Sequence, residues 1–149
     1  MDDRPGPREA RFPALLVEAR AAVAWARARA EEAGLAEGRV LEVELAAEEL
    51  FVNVCVHARG GRSGAVTLRS ARTGEGFLLG VEDDGPPFDP LSFPLPDDAA
   101  PLEEREPGGL GLLIVRRVAT DLRWRREGDR NVVTLVFAGP EDGGERRGV

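Results

Sequence analysis

The chain has no lysine, tyrosine or glutamine, and only one cysteine and one histidine in 149 residues. A single cysteine excludes an intrachain disulfide and a cysteine-rich metal centre. Cys55 lies in an apolar stretch, where it reads as a small buried hydrophobe. No apolar run approaches the ~18–20 residues that a membrane-crossing helix needs. The N-terminus is polar and has no leader-like hydrophobic core. These absences predict a soluble, cytoplasmic protein with no membrane partner. A basic excess is missing too: 20 basic against 27 acidic side chains leave a formal charge of −7, which argues against direct nucleic-acid binding. Apart from His57 every basic residue is arginine, a pattern that reads as coding bias rather than chemistry. The length suits one domain with a proper core.

What is present is organised around residues 46–58, AAEELFVNVCVHA. The stretch is rich in Ala, Leu and Glu and free of Gly and Pro, so it predicts a helix. Apolar residues on every side place that helix between two layers of a core. Glu49, Asn53 and His57 interrupt it at spacings of four, which stacks them along one face. A buried, unpaired polar group costs roughly 1–3 kcal/mol, so the stripe calls for a partner.

Taken in order, residues 1–8 read as a flexible N-terminus and 9–12 as a short edge strand. A first helix is predicted over 13–33, with Pro13 in its first turn, Leu16, Ala19 and Val23 on its apolar side, Trp25 packing, and Gly34 closing it. The second helix spans 39–58, and a glycine-rich loop covers 59–64. Strands at 65–71 and 76–82 flank a turn at 73–76. From Asp83 a Pro- and acid-rich stretch runs to Pro107, long enough to predict a lid or binding loop. A third helix is predicted over 110–121, then a hairpin of strands 122–126 and 131–138, and a disordered tail over 139–149. Strands arranged as hairpins rather than βαβ units predict an α+β fold over 9–138. It is a two-layer sandwich, with a mixed, mostly antiparallel sheet covered on one face by three helices.

Three segments carry chemistry: the stripe, Asp83-x-Gly85 after a strand, and Gly108-Gly109-Leu110-Gly111 opening a helix. The glycines suit an anion, because N–H groups at a helix start point outward and glycine lets a phosphate approach. Together, and in this order, the segments resemble the N, G1 and G2 boxes of the GHKL (histidine-kinase-like, Bergerat) ATPase superfamily. The nearest resemblance is to the small anti-sigma-factor serine kinases. It covers about 12–137 and rests on EELFVNVCVH, EDDGPPFDP and GLGLLIV.

The resemblance implies an ATP site using Mg²⁺. It implies Asn53 as a Mg²⁺ ligand alongside the nucleotide phosphates, and Glu49 as the base for the attacking hydroxyl, with Glu48 a competitor one position away. His57 would lie near the phosphates, although a capping or core histidine is an equal reading. Asp83 would accept from the adenine amino group, Gly85 would let the backbone pass close to the base, and Gly109 and Gly111 would offer N–H groups to the phosphates. Arg105 would reach the γ-phosphate, against a solvated loop arginine. Thr134 would hold a water beside Asp83, against plain packing. Pro87 stands where many members have a second glycine.

The implied activity is a Mg-ATP-dependent protein serine/threonine kinase. It would bind a sigma factor and phosphorylate a STAS-type antagonist, commonly as a homodimer. The alternatives are a catalytically silent ATP-binding module acting by contact, and an ATP hydrolase. A sensor histidine kinase would need a separate helical domain bearing its phosphoacceptor, for which this length leaves no room.

Overall fold

Alternation along the strands decides the layering. In residues 65–73 Val66, Leu68 and Ser70 are buried and Arg69 is exposed; in 76–83 Phe77, Leu79, Val81 and Asp83 are buried. Odd and even positions of a strand face opposite sides, so each strand gives one side to a core. A computed structural model describes residues 6–58, 64–92 and 109–139. The order is β1 (Arg8–Pro13), a 3-10 turn (Leu16–Glu18), α1 (Ala19–Glu32) and α2 (Glu37–Asn53), which runs into a π-helical turn (Val54–Ala58). Then come β2 (Ala65–Thr73), β3 (Gly76–Asp83), α3 (Gly109–Val118), β4 (Asp121–Glu127) and β5 (Arg130–Phe137).

The strands form one sheet in the order β1-β2-β3-β5-β4. Every pairing among the described residues is antiparallel, where the sequence reading predicted a mixed, mostly antiparallel sheet. β4 does run parallel to β3, but β5 lies between them. The three helices share one core with the inner strand residues, including Phe51, Leu68, Leu79, Leu112, Val115 and Leu135. Phe12 of β1 meets Phe51 of α2 edge-on, with ring centroids 6.4 Å apart. This is the expected α+β sandwich. No described helix is long and apolar enough to cross a membrane.

Several helix details differ from expectation. Pro13 ends β1 instead of opening α1; an edge strand tolerates a residue with no N–H to donate. Leu16 is 56 % exposed. The buried side of α1 is Ala22, Ala26 and Ala30 at spacings of four, with Ala19, Val23 and Trp25 partly buried against the core. α2 is not enclosed on every side, because Leu41 and Leu45 are exposed, as is Val56 in the π-helical turn. α3 stops at Val118, since Thr120 already donates its N–H to the Val136 carbonyl in the sheet, at 2.7 Å.

Arg39, near the start of α2, holds the far end of α3. Its guanidinium donates to the carbonyls of Val118 (3.2 Å) and Ala138 (2.8 Å) and to Thr120 Oγ1 (3.3 Å), and lies over the Phe137 ring. In the β2–β3 turn, Gly76 has φ +126°, and a Cβ there would overlap the Phe137 backbone. Gly76→Ala is therefore expected to destabilise the fold by at least ~1–3 kcal/mol, read as a lower denaturant midpoint with an unchanged slope.

Candidate functional site

Two polar residues interrupt the inner layer near the ends of their elements. Asn53, the last α-helical residue of α2, is 8 % exposed, and its carboxamide makes no hydrogen bond among the described residues. Glu49, one turn earlier on the same face, is half-buried, whereas Glu48 is exposed. A Cβ on Gly111 would overlap the Glu49 carboxylate, so the first turn of α3 packs directly on this side chain. Glu49 holds its proton above the usual carboxylate range, first because packing removes water from it and second because the Glu48 carboxylate is nearby.

After Asn53 the helix continues as a π-helical turn, which carries His57. The His57 side chain lies outside the described residues.

The second cluster forms where β3 ends and β5 begins. Asp83 is 5 % and Asn131 2 % exposed, and the two are paired across the ladder. Asp83 Oδ1 accepts from the Gly85 N–H at 2.8 Å and from Asn131 Nδ2 at 3.2 Å. Asn131 Nδ2 also donates to the Pro86 carbonyl at 2.8 Å, while Asn131 Oδ1 accepts from Phe88 N–H (2.9 Å) and Trp124 Nε1 (3.2 Å). Arg126 donates to the Gly85 carbonyl at 2.7 Å. The turn after β3 is thus held at four successive points, with Asp83 and Gly85 brought together as the sequence motif suggests.

The structure contradicts the placement of Thr134 beside Asp83. Its ladder partners are Gly80 and Arg123, and it lines a groove of about 700 Å³ on the face of the sheet opposite the described helices. Thr134 lies three positions beyond Asn131, an odd step that changes the face. Asn131 is the residue the sequence reading missed. It shares parity with Val133, Leu135 and Phe137, so a polar residue in an apolar series marked it just as it marked Asn53. Gly109 is the first residue of α3. Arg105, Gly108, the loop at 59–63, most of the lid stretch and the tail from 140 lie outside the described residues.

With these positions fixed, the chain can be set beside known proteins. The sequence pattern of the histidine kinase-like ATPase domain matches residues 12–137. The chain belongs to that family. A serine/threonine-protein kinase, BtrW of Bordetella bronchiseptica, is 32 % identical over 93 residues, which are 62 % of this chain. The match covers 66 % of BtrW, just under two thirds of its length. The RsbU and RsbW domains of Rv1364c from Mycobacterium tuberculosis superpose with a TM-score of 0.63 over 90 % of this chain and 32 % of that one. At 18 % identity, that likeness concerns the fold. The histidine kinase-like assignment read from the three motifs is borne out, as is the sandwich. The three motif segments read from the sequence lie in α2, in the turn after β3 and at the start of α3.

Proposed function

We propose that this domain is a Mg-ATP-dependent protein serine/threonine kinase of the anti-sigma type, which binds a sigma factor and phosphorylates a STAS-type antagonist. The observation that carries the reading is Glu49, half-buried against Gly111 one turn before an unpartnered Asn53. The name of BtrW, a serine/threonine-protein kinase, points the same way.

In this reading the free oxygen of Asp83 accepts from the adenine amino group, which guanine lacks at that position. The N–H groups at the start of α3 face the phosphates. Among the described residues no three His, Cys, Asp or Glu side chains converge on a possible metal site. Asn53 has an unpartnered amide oxygen to offer, which fits Mg²⁺ arriving on the nucleotide and taking few protein ligands. Mg²⁺ neutralises phosphate charge when bound. The serine Oγ forms the new bond to the γ-phosphorus, the bond to the β–γ bridging oxygen breaks, ADP leaves, and the hydroxyl proton passes to Glu49. Most of the work is positioning and charge stabilisation.

Incubated with γ-labelled ATP, Mg²⁺ and STAS-type candidates encoded beside it, the domain is expected to label one of them on serine or threonine. ATP binding with no transfer to any candidate would replace the kinase with a module acting by contact. Asn53→Ala is expected to lose the Mg²⁺-dependent part of ATP affinity, at least tenfold by calorimetry. An unchanged affinity would remove Asn53 from the metal.

A further inference from the structure

Asn131 uses all of its hydrogen-bonding capacity. Phe88 N–H and Trp124 Nε1 can only donate, and both point at its oxygen; this fixes which end of the amide is NH₂. The NH₂ group then has one hydrogen for Pro86 O at 2.8 Å and one for Asp83 Oδ1 at 3.2 Å, with Gly85 O at 3.5 Å beside them. Asp83 Oδ1 is thus occupied twice, by Asn131 and by the Gly85 N–H. Among the described residues Oδ2 has no partner.

We propose that Asn131 is the positioning residue for base selection, acting through Asp83. It occupies one carboxylate oxygen and ties down the Gly85–Pro86 backbone, so that a single acceptor, in a single orientation, faces the base. A carboxylate free to rotate would present either oxygen and meet guanine N–H groups as well as the adenine amino group. The fixed carboxylate prefers adenine because it cannot readjust. The inference rests on the assignment of Asp83 to the base.

Asn131→Asp isolates the donor. The variant keeps the shape and the acceptor for Phe88 and Trp124 but sets a second carboxylate against Asp83. Arg126 of β4 reaches Gly85 O, and Asp84, Glu82, Arg130, Arg11, Arg69 and Glu9 line a cavity together with Asp83. Glu82 and Arg130, adjacent in sequence, lie on the opposite face and pair with each other at 3.5 Å. Two carboxyl groups at hydrogen-bond distance share a proton more readily than one alone, and the shared proton restores a donor. By calorimetry at pH 8, N131D is expected to bind ATP at least about tenfold more weakly than the native chain, with its ATP-over-GTP preference falling towards unity. At pH 6 the ratio of variant to native affinity recovers.

A native-like affinity and preference at pH 8, or a loss that is the same at both pH values, overturns the proposal. Asp83→Asn separates the two layers of the argument. If D83N binds ATP normally, both the base assignment and this inference fall; if D83N is weakened while N131D is native-like, only this inference falls. Should N131D fail to fold at pH 8, Asn131→Ser, whose hydroxyl can still donate to Asp83, is expected to keep more of the ATP-over-GTP preference than Asn131→Ala. Equal loss in the two overturns the proposal.

Discussion

Glu49→Gln is expected to reduce phosphoryl transfer by about a hundredfold to ten-thousandfold, the usual range for removing a general base, while leaving ATP affinity within a few-fold of native. The amide preserves the shape packed under Gly111 and removes only the ability to take a proton. Single-turnover transfer of labelled phosphate, compared with ATP binding by calorimetry, separates the two effects. Undiminished transfer would move the base elsewhere. The raised affinity of Glu49 for its proton has two further consequences. The carboxylate is the working form, so transfer falls as the pH drops through this raised value, placing the acid limb above the usual carboxylate range. Stability follows the opposite sign. A carboxyl that holds its proton more tightly folded than unfolded favours the folded state below its unfolded value, and that advantage is lost as the pH rises through the folded one. Glu49→Gln is thus expected to melt higher than the native chain at pH 8. The difference should disappear at pH 4, where both side chains are neutral.

Gly111→Ala is expected to impair transfer more than its single methyl suggests. The added Cβ would occupy the space of the Glu49 carboxylate, and both α2 and α3 are packed into the core, so the flexible glutamate must yield. A carboxylate moved by about 1 Å can cost on the order of a hundredfold in rate. Transfer should drop by about that factor. Global stability should change little, because an alanine suits a helix better than a glycine by ~1 kcal/mol. Equal rates in G111A and the native chain would show that Glu49 can work from more than one position. Combining G111A with E49Q makes the coupling explicit: once the proton acceptor is gone, its displacement should cost almost nothing further.

The parts of the fold legible in the sequence are those set by short-range periodicity. Alternation in VTLR and LRWR gave the strands and their inner faces, and two hairpins gave most of an antiparallel sheet. Asp83-x-Gly85 was legible because an Asp accepting from the N–H two residues on is a local event. What failed needed long-range information. Pro13 suits a first helical turn as well as an edge strand, and only the pairing with β2 decides. The widening of the second helix into a π-helical turn at Val54–Ala58 has no signature in that sequence. Thr134 was chosen by chemical type, and the parity of its strand sends it to the other face. Asn131 was visible by the same parity, but its role depends on Phe88 and Trp124, 43 and 7 residues away.

Arg39 gives α3 the mechanics of a cantilever. The root, at Val118 and Thr120, is clamped to α2 and to the end of β5; the tip carries Gly111 over Glu49. With ten residues the beam is about 15 Å long at 1.5 Å per residue. Gly111 stands about 10 Å from the root, so a 5° tilt would shift it by roughly 0.9 Å, comparable to the displacement that matters for a reacting group. The clamp at one end of the helix and the burial of Leu112 and Val115 along it therefore together set the tolerance to which the glutamate at the other end is held.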